Sequence, residues 1–122
     1  QRLLLRKIVS EADSCLKLNH PGATLRYGHD TMVMPLTCLL NLDDTGMQVS
    51  DLEQVAMRGW NDYRIFPMAC NLQFVFYRKQ GSDDILVKIL RNENEAKLPV
   101  KSDVAPYYHW KDVRAYCEKI AQ

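Results

Sequence analysis

Two neighbouring segments of this chain have the side-chain pattern of an antiparallel β-hairpin. In Cys70–Lys79, the side chains of Leu72, Phe74 and Phe76 alternate with those of Gln73, Val75 and Tyr77. Ile85–Arg91 is apolar and rich in β-branched residues. Between them lies a turn sequence, Gln80-Gly81-Ser82-Asp83-Asp84. The chain has 122 residues and is 47% hydrophobic, so it is long enough for one domain with a real core.

Helical patterns lie on both sides of the predicted hairpin. Residues 3–18 place apolar side chains on one helix face, at the i, i+4 and i+8 positions. Trp110–Ile120 is amphipathic in the same way. Met32–Leu42 is apolar almost all round, which predicts a buried helix.

Shorter patterns complete a predicted element order of α-β-α-β-β-(β)-α. Ala23–Gly28 is predicted to be a strand, Ala96–Val100 a third strand after the hairpin, and Asp51–Arg58 a short helix. The strand at Ala23–Gly28 has no obvious parallel partner in the chain, although parallel strands are normally buried inside larger sheets. The fold class is therefore predicted to be α/β.

Charge and hydropathy exclude some classes of function. Sixteen basic and fifteen acidic side chains leave a net charge of +1, so no basic face predicts nucleic-acid binding. The aromatic cluster Tyr107–Trp110 is interpreted as packing at a helix start, because no basic residues surround it. No apolar run reaches the roughly 20 residues of a membrane span. No signal peptide is visible, and the chain opens without Met inside a predicted helix, so we expect a fragment.

The four cysteines, Cys15, Cys38, Cys70 and Cys117, are widely spaced. They form no Cys-x-x-Cys pair and have no histidines at ligand spacing, so no metal site is predicted. Each lies in a segment patterned as helix or strand, which predicts buried free thiols. One disulfide remains an option for an exported protein.

The dipeptide His29-Asp30 is the main candidate for a functional site. It lies between a predicted strand and a predicted helix, where α/β proteins commonly bind ligands and where free helix N–H groups attract anions such as phosphate. Pro35 fits only the first turn of a helix, so the helix is predicted to begin near Val33 or Met34. His29–Met32 would then form a turn whose side chains can line a cleft.

Two interpretations of the dipeptide stay open from the residues alone. Asp30 can be a helix N-cap beside an incidental histidine. Alternatively, Asp30 is a general acid and His29 donates a hydrogen bond to a phosphoryl oxygen. His20, beside a Pro-Gly turn, is interpreted as a surface residue.

The surroundings of the dipeptide resemble the second catalytic motif of the histidine acid phosphatases, the phytase-like branch of the histidine phosphatase superfamily. In that family a strand leads into His-Asp, and a threonine and a buried helix follow. The matching residues are Gly28, His29, Asp30 and Thr31. Pro67–Arg78 resembles the strand that follows the motif and Ile85–Leu90 its hairpin partner, so the resemblance extends from Ala23 to about Leu98.

This resemblance implies that residues 1–122 are a single C-terminal fragment of a phosphoglycerate-mutase-like three-layer α/β/α sandwich. It implies a phosphatase that hydrolyses phosphomonoesters, inositol phosphates among the candidates, through a phosphohistidine and without a metal or other cofactor. Asp30 would protonate the leaving-group oxygen and His29 would contact the phosphate. Thr31 and Arg26 are further candidate substrate contacts, although Arg26 can equally be a solvated or ion-paired arginine. The resemblance also implies a periplasmic or extracellular protein.

One part of the family's machinery is not in this sequence. The family's nucleophile is a histidine in an Arg-His-Gly-x-Arg-x-Pro motif, whereas neither His20 nor His109 follows an arginine. The phosphohistidine step needs that nucleophile, so the isolated chain is predicted to be inactive. The alternative hypothesis is a non-catalytic α/β module that self-associates, for example as a homodimer, with His29-Asp30 as structural residues.

Overall fold

The chain folds into four α-helices and a four-stranded antiparallel sheet, which confirms the predicted α/β class. The computed structural model describes residues 1–122. The helices are α1 (Arg2–Cys15), α2 (Asp30–Leu39), α3 (Asp62–Ile65) and α4 (Trp110–Ile120), and the strands are β1 (Leu72–Arg78), β2 (Ile85–Arg91), β3 (Asn94–Glu95) and β4 (Tyr108–His109). No helix combines the length and the apolar character that a bilayer-spanning segment needs.

The predicted hairpin is the centre of the sheet. β1 and β2 pair antiparallel in a register that runs from Leu72 opposite Arg91 to Arg78 opposite Ile85. β3 and β4 both pair with β2, at opposite ends of that strand. Every other strand of the sheet therefore lies beside β2.

The core lies between the sheet and the helices α1, α2 and α4. Side chains from all four elements form one cluster of buried residues, including Leu5, Leu36, Val87, Ile89 and Val113. The aromatic residues at the start of α4 join this core, as the sequence predicted. Trp110 meets the ring of Phe76 edge-on at 5.0 Å, and the buried Tyr108 hydroxyl accepts a hydrogen bond from the Leu98 N–H at 3.0 Å.

The predicted strand at Ala23–Gly28 does not form, and this segment is exposed coil. A strand must share its backbone N–H and C=O groups with a neighbouring strand. The sheet consists of the four strands named above, and none of them pairs with this segment. Apolar side chains here stay in solvent: Tyr27 is 92% exposed and Leu25 is 72% exposed.

The helix α2 begins earlier than the position of Pro35 predicts. The carbonyl of His29 accepts hydrogen bonds from the N–H groups of Met32 and Val33, so the first turn closes from Asp30 onward. Pro35 therefore lies inside the helix, where it has no N–H to donate to the carbonyl of Thr31. The predicted start near Val33 or Met34 is wrong, and His29–Met32 is not a free turn. α2 is also less buried than predicted.

The strand after the hairpin is shifted from its predicted place at Ala96–Val100. Asn92 and Glu93 both have left-handed backbones, with φ of 50° and 67°, which closes a two-residue hairpin turn. The short strand β3 follows that turn at once. β4 was not predicted, because two residues are too few to show an alternating pattern.

Two further expectations hold only in part. The helix predicted over Asp51–Arg58 is a single 3₁₀ turn, Leu52–Gln54, which Asp51 caps by accepting the Glu53 N–H at 3.1 Å. All four cysteines are free thiols, but only Cys117 is buried, while Cys15 is exposed and the other two are half-buried. Burial of the thiol raises the pKa of Cys117 to about 12.

Candidate active site

A shallow groove of about 560 Å³ lies between the first turn of α2 and the segment that joins α3 to β1. One wall comes from Gly28, His29, Asp30 and Val33. The opposite wall comes from Asp62, Tyr63 and the run Phe66–Cys70. The structure therefore places both members of the predicted dipeptide in one groove.

The first wall owes its shape to the start of α2. His29 is the N-cap residue, with an extended backbone (φ −108°, ψ 166°) and no capping hydrogen bond from its side chain. Asp30 is the first helical residue, so it is not the N-cap that one interpretation of the sequence required. Its Oδ1 accepts a hydrogen bond from the N–H of Thr31 at 2.8 Å. This contact orients an exposed carboxyl at the groove.

The second wall is a turn held against the end of β2. The N–H of Cys70 donates to the Pro67 carbonyl at 3.0 Å, and Ala69 between them has a left-handed backbone, with φ of 58°. Asn92 fixes the turn from outside. Its side-chain amide donates to the Ile65 carbonyl at 2.9 Å, and its Oδ1 accepts the Asn71 N–H at 3.1 Å.

The groove carries negative charge and one imidazole. Two carboxylates, Asp30 and Asp62, line it together with His29, whereas no lysine or arginine does. Burial raises the pKa of the Cys70 thiol, and the nearby negative charge of Asp30 raises it further.

The other predicted site residues lie outside this groove. The guanidinium of Arg26 pairs with the carboxylate of Glu11 on α1, which is the ion-paired alternative considered for it. Thr31 is exposed beside Asp30 and offers its backbone N–H to that residue. His20 is exposed, as predicted, and its Nδ1 lies 3.1 Å from the carbonyl of Pro21.

Several groove residues were not identified from the sequence. Asp62 is one of ten scattered aspartates without a motif, and Met68 and Cys70 fall at the start of a predicted strand. Asn92, which fixes this wall from outside the groove, was recognised only as part of a turn. They form one wall because the side chain of Asn92 donates to the Ile65 carbonyl, a contact between segments that are more than 20 residues apart.

Comparison with known protein families settles the relationship of the chain. The model of the histidine phosphatase superfamily (branch 2) matches residues 2–92, well over half of the sequence. This chain belongs to the histidine phosphatase superfamily, branch 2. A search of curated proteins found no match.

The family match is displaced from the resemblance seen in the sequence. It starts within α1, about twenty residues before Ala23, and it ends at Asn92 rather than near Leu98. It therefore includes the dipeptide, the second groove wall and the β1–β2 hairpin. The helices and antiparallel sheet are consistent with an α/β histidine phosphatase fold, whereas β3, β4 and α4 lie outside the matched residues.

In this family setting the groove offers two groups suited to phosphate ester chemistry. A carboxyl group can give a proton to a departing oxygen if it lies within hydrogen-bond reach. An imidazole N–H can donate to the charge that develops on a transferring phosphoryl group. Asp30 and His29 supply these groups from adjacent positions at a helix N-terminus, whose free N–H and dipole favour an anion.

Proposed function

We propose that this chain supplies the proton-donor half of a phosphomonoesterase active site. Asp30 protonates the leaving-group oxygen, and His29 holds a phosphoryl oxygen. The observation that carries the proposal is the placement of both residues on one groove in a histidine phosphatase family member. The bond that breaks joins phosphorus to the ester oxygen, and the proton from Asp30 turns that oxygen into a neutral alcohol.

The nucleophile belongs to a part of the family's machinery that this sequence lacks. No Arg-His-Gly-x-Arg-x-Pro motif is present, and no arginine or lysine lines the groove. Phosphoryl groups need cationic donors as well as a nucleophile. We therefore expect the isolated chain not to turn over phosphate esters, and we place catalysis in a protein that combines this segment with that motif.

Substrate and location follow from the same proposal. Phosphomonoesters as a class fit the acid-phosphatase mechanism. A polyphosphorylated leaving group, such as an inositol polyphosphate, would meet the carboxylate of Asp62 on the opposite wall without a compensating cation. Weakly charged leaving groups therefore suit this groove better. The family resemblance favours a protein that works in the periplasm or outside the cell.

The test compares two aspartates of the groove. Asp30 and Asp62 are each the first residue of a helix, and each accepts the N–H of the next residue, at 2.8 and 2.7 Å. In an enzyme that carries this segment and the nucleophile motif, Asp30→Asn should lower kcat about 10²–10⁴-fold with an alkyl phosphate. Asp62→Asn, the matched control, should leave kcat within a few-fold.

Two results would contradict the proposal. Equal loss of kcat in both variants would show that the charge of the groove matters and not the proton of Asp30. Robust hydrolysis of an aryl phosphate by the purified 122-residue chain would show that the nucleophile lies within it.

The alternative of a self-associating, non-catalytic module has one structural observation in its favour. Large apolar side chains are exposed around the groove, including Tyr27, Met68 and Tyr63, which are 92%, 98% and 65% exposed. Such a patch favours contact with another protein surface. Sedimentation velocity of the purified chain over a range of concentrations distinguishes a monomer from a dimer. Dimer formation weakened by Tyr27→Ser or Met68→Ser would support this second candidate.

A further inference from the structure

His109, the N-cap residue of α4, lies between two carboxylates that come from different parts of the chain. Its Nδ1 lies 2.9 and 3.1 Å from the two carboxylate oxygens of Asp84. Its Nε2 lies 2.9 Å from Oδ1 of Asp103. We call these three residues the His109 cluster. None of them lies in the groove, and His109 and Asp103 lie beyond the residues that match the family.

The geometry of the cluster requires a charged imidazole. An ionised carboxylate only accepts hydrogen bonds, so each ring nitrogen of His109 must donate a proton to its own aspartate. A neutral imidazole carries only one N–H and can satisfy only one of the two. Loss of one proton would place a bare nitrogen lone pair against a carboxylate oxygen.

The cluster joins three parts of the C-terminal half. Asp84 ends the loop of the β1–β2 hairpin, His109 connects β4 to α4, and Asp103 belongs to the segment that leads into β4. Within that segment, Ser102 donates its hydroxyl to the Tyr107 carbonyl, and the Tyr107 N–H donates to the Val104 carbonyl at 3.0 Å. The segment thus has its own hydrogen bonds, and Asp103 is its ionic contact with the start of α4.

We propose that the His109 cluster is a pH-sensitive contact that fastens the segment 99–107 to the start of α4. When His109 is charged, both carboxylates are bound. When it becomes neutral, it keeps Asp84, with which it makes two contacts, and releases Asp103, whose side chain is 80% exposed. The segment then becomes more mobile, while the hairpin and α4 remain in place.

Few other charged groups act on the cluster. On α4, Lys111 adds positive charge near Asp103, and Asp112 lies in the first turn. On β2, the residue opposite His109 is the apolar Leu86, and the next charged residue, Lys88, already pairs with Glu95 at 2.9 Å. The two aspartates therefore dominate the surroundings of the imidazole.

Both aspartate contacts raise the pKa of His109 above its ordinary 6.5, with the hydrogen bond to Asp84 as the larger cause. The hydrogen bond from His109 in turn lowers the pKa of Asp103 below 3.8. A raised histidine pKa gives stability that is complete below pH 6.5 and is lost as the pH rises through the pKa of the folded protein. The lowered aspartate pKa gives stability that is lost only as the pH falls below 3.8.

Thermal unfolding of the full chain between pH 5 and pH 9 tests this proposal. Relative to His109→Gln, the wild type should have a higher Tm at pH 5.5, by on the order of 2–4 °C, and the difference should close toward pH 9. His20→Gln is the matched control, since His20 is exposed and its ring is hydrogen-bonded to the neighbouring Pro21 carbonyl rather than to a carboxylate. It should follow the wild type at every pH. A difference for His109→Gln that does not change with pH would overturn the proposal.

Nuclear magnetic resonance of the wild-type chain gives a test that does not depend on a folded variant. The His109 ring should titrate with a midpoint above 6.5 and show two N–H protons below it. Asp103→Asn should lower that midpoint. From pH 6 to pH 9, hydrogen exchange at the Tyr107 amide should accelerate more than the intrinsic exchange rate does. Exchange at the amides of β2 should show no such extra acceleration. A His109 midpoint at or below 6.5 would overturn the proposal.

Discussion

The two sites where histidine meets aspartate in this protein differ in how the groups are held. His29 and Asp30 are neighbours in sequence, yet the Asp30 carboxylate binds the N–H of Thr31 and the His29 ring makes no capping hydrogen bond. His109 has its partners 25 and 6 residues away, and both of its ring nitrogens are engaged. The His29 ring can therefore still bind a ligand, whereas both ring nitrogens of His109 already have hydrogen-bond partners in the protein.

The regions around the two sites also differ in how well their side chains are packed. The groove wall at Met68 and the coil before α2 leave large apolar side chains in solvent. The region around His109 packs Trp110 and Tyr108 into the main core. Substitutions near the groove should therefore change catalytic activity with little loss of stability. Substitutions near the start of α4 should lower stability with little change in activity.

The largest expected effect tests the packed side of this comparison. Trp110→Ala removes an indole that is 7% exposed, meets Phe76 edge-on and donates its N–H to Asp13 at 2.9 Å. We expect the free energy of unfolding to fall by about 3–5 kcal/mol, since a large aromatic leaves a cavity. Urea unfolding measures it. Met68→Ala, on the groove wall, should change it by less than about 0.5 kcal/mol. Similar losses of unfolding free energy in both variants would show that the two regions are equally well packed and would contradict the comparison.

The next effect tests the groove. In an enzyme that carries this segment and the nucleophile motif, His29→Ala should lower kcat/KM about 10²–10³-fold, because the proposed donor to the transition state is lost. Its Tm should stay close to that of the wild type. His109→Gln should show the reverse, with activity retained and Tm lowered below neutral pH. A His29→Ala variant with full activity would leave His29 a structural residue.

The smallest expected effect concerns the charge of Asp13, which lies in the packed region. Burial alone would raise the pKa of Asp13, but hydrogen bonds from Arg114 and Trp110, with the charges of Arg114 and Lys17, lower it below 3.8 overall. This contribution is complete above pH 3.8 and is lost as the pH falls through the pKa of the folded protein. Asp13→Asn should therefore cost about 1 kcal/mol near pH 6, and the cost should shrink below pH 3.8.

Chemical denaturation at a series of pH values measures the Asp13 effect. The control is Glu118→Gln, which removes a more exposed partner of the same arginine, 3.0 Å from it. It should have almost no effect. A cost for Asp13→Asn that persists at pH 3 would assign its contribution to hydrogen bonding by the neutral side chain rather than to charge.

Patterned segments of sufficient length were predicted well. β2 and α4 have the bounds that the sequence indicated, because a seven-residue apolar strand and an eleven-residue amphipathic helix repeat their signal several times. Short or context-dependent elements were not. The strand expected before His29 has suitable residues but no neighbouring strand, and the two-residue strand β4 has a neighbour but no pattern.

Some residues of the candidate site could likewise be predicted from the sequence, and others could not. The dipeptide and its resemblance to a family motif could be recognised from the sequence, since both residues lie side by side in the chain. The opposite wall could not, because Asp62 on α3 and Cys70 in the following turn line one groove in a segment that Asn92 fixes from the end of β2. The start of α2 was misplaced because local proline preference was outweighed by the hydrogen bonds that the His29 carbonyl accepts.

The sequence by itself determined the α/β class, the hairpin, the terminal helices and the place of the His29-Asp30 dipeptide beside a helix start. These properties depend on residues that are close in the chain, where periodicity and side-chain type act directly. Only the tertiary structure decided that Arg26 pairs with Glu11, that Asp62 shares the groove, and that His109 is held by two aspartates. Each of these contacts joins segments that the chain separates, and their geometry is set by how the helices and the sheet pack together.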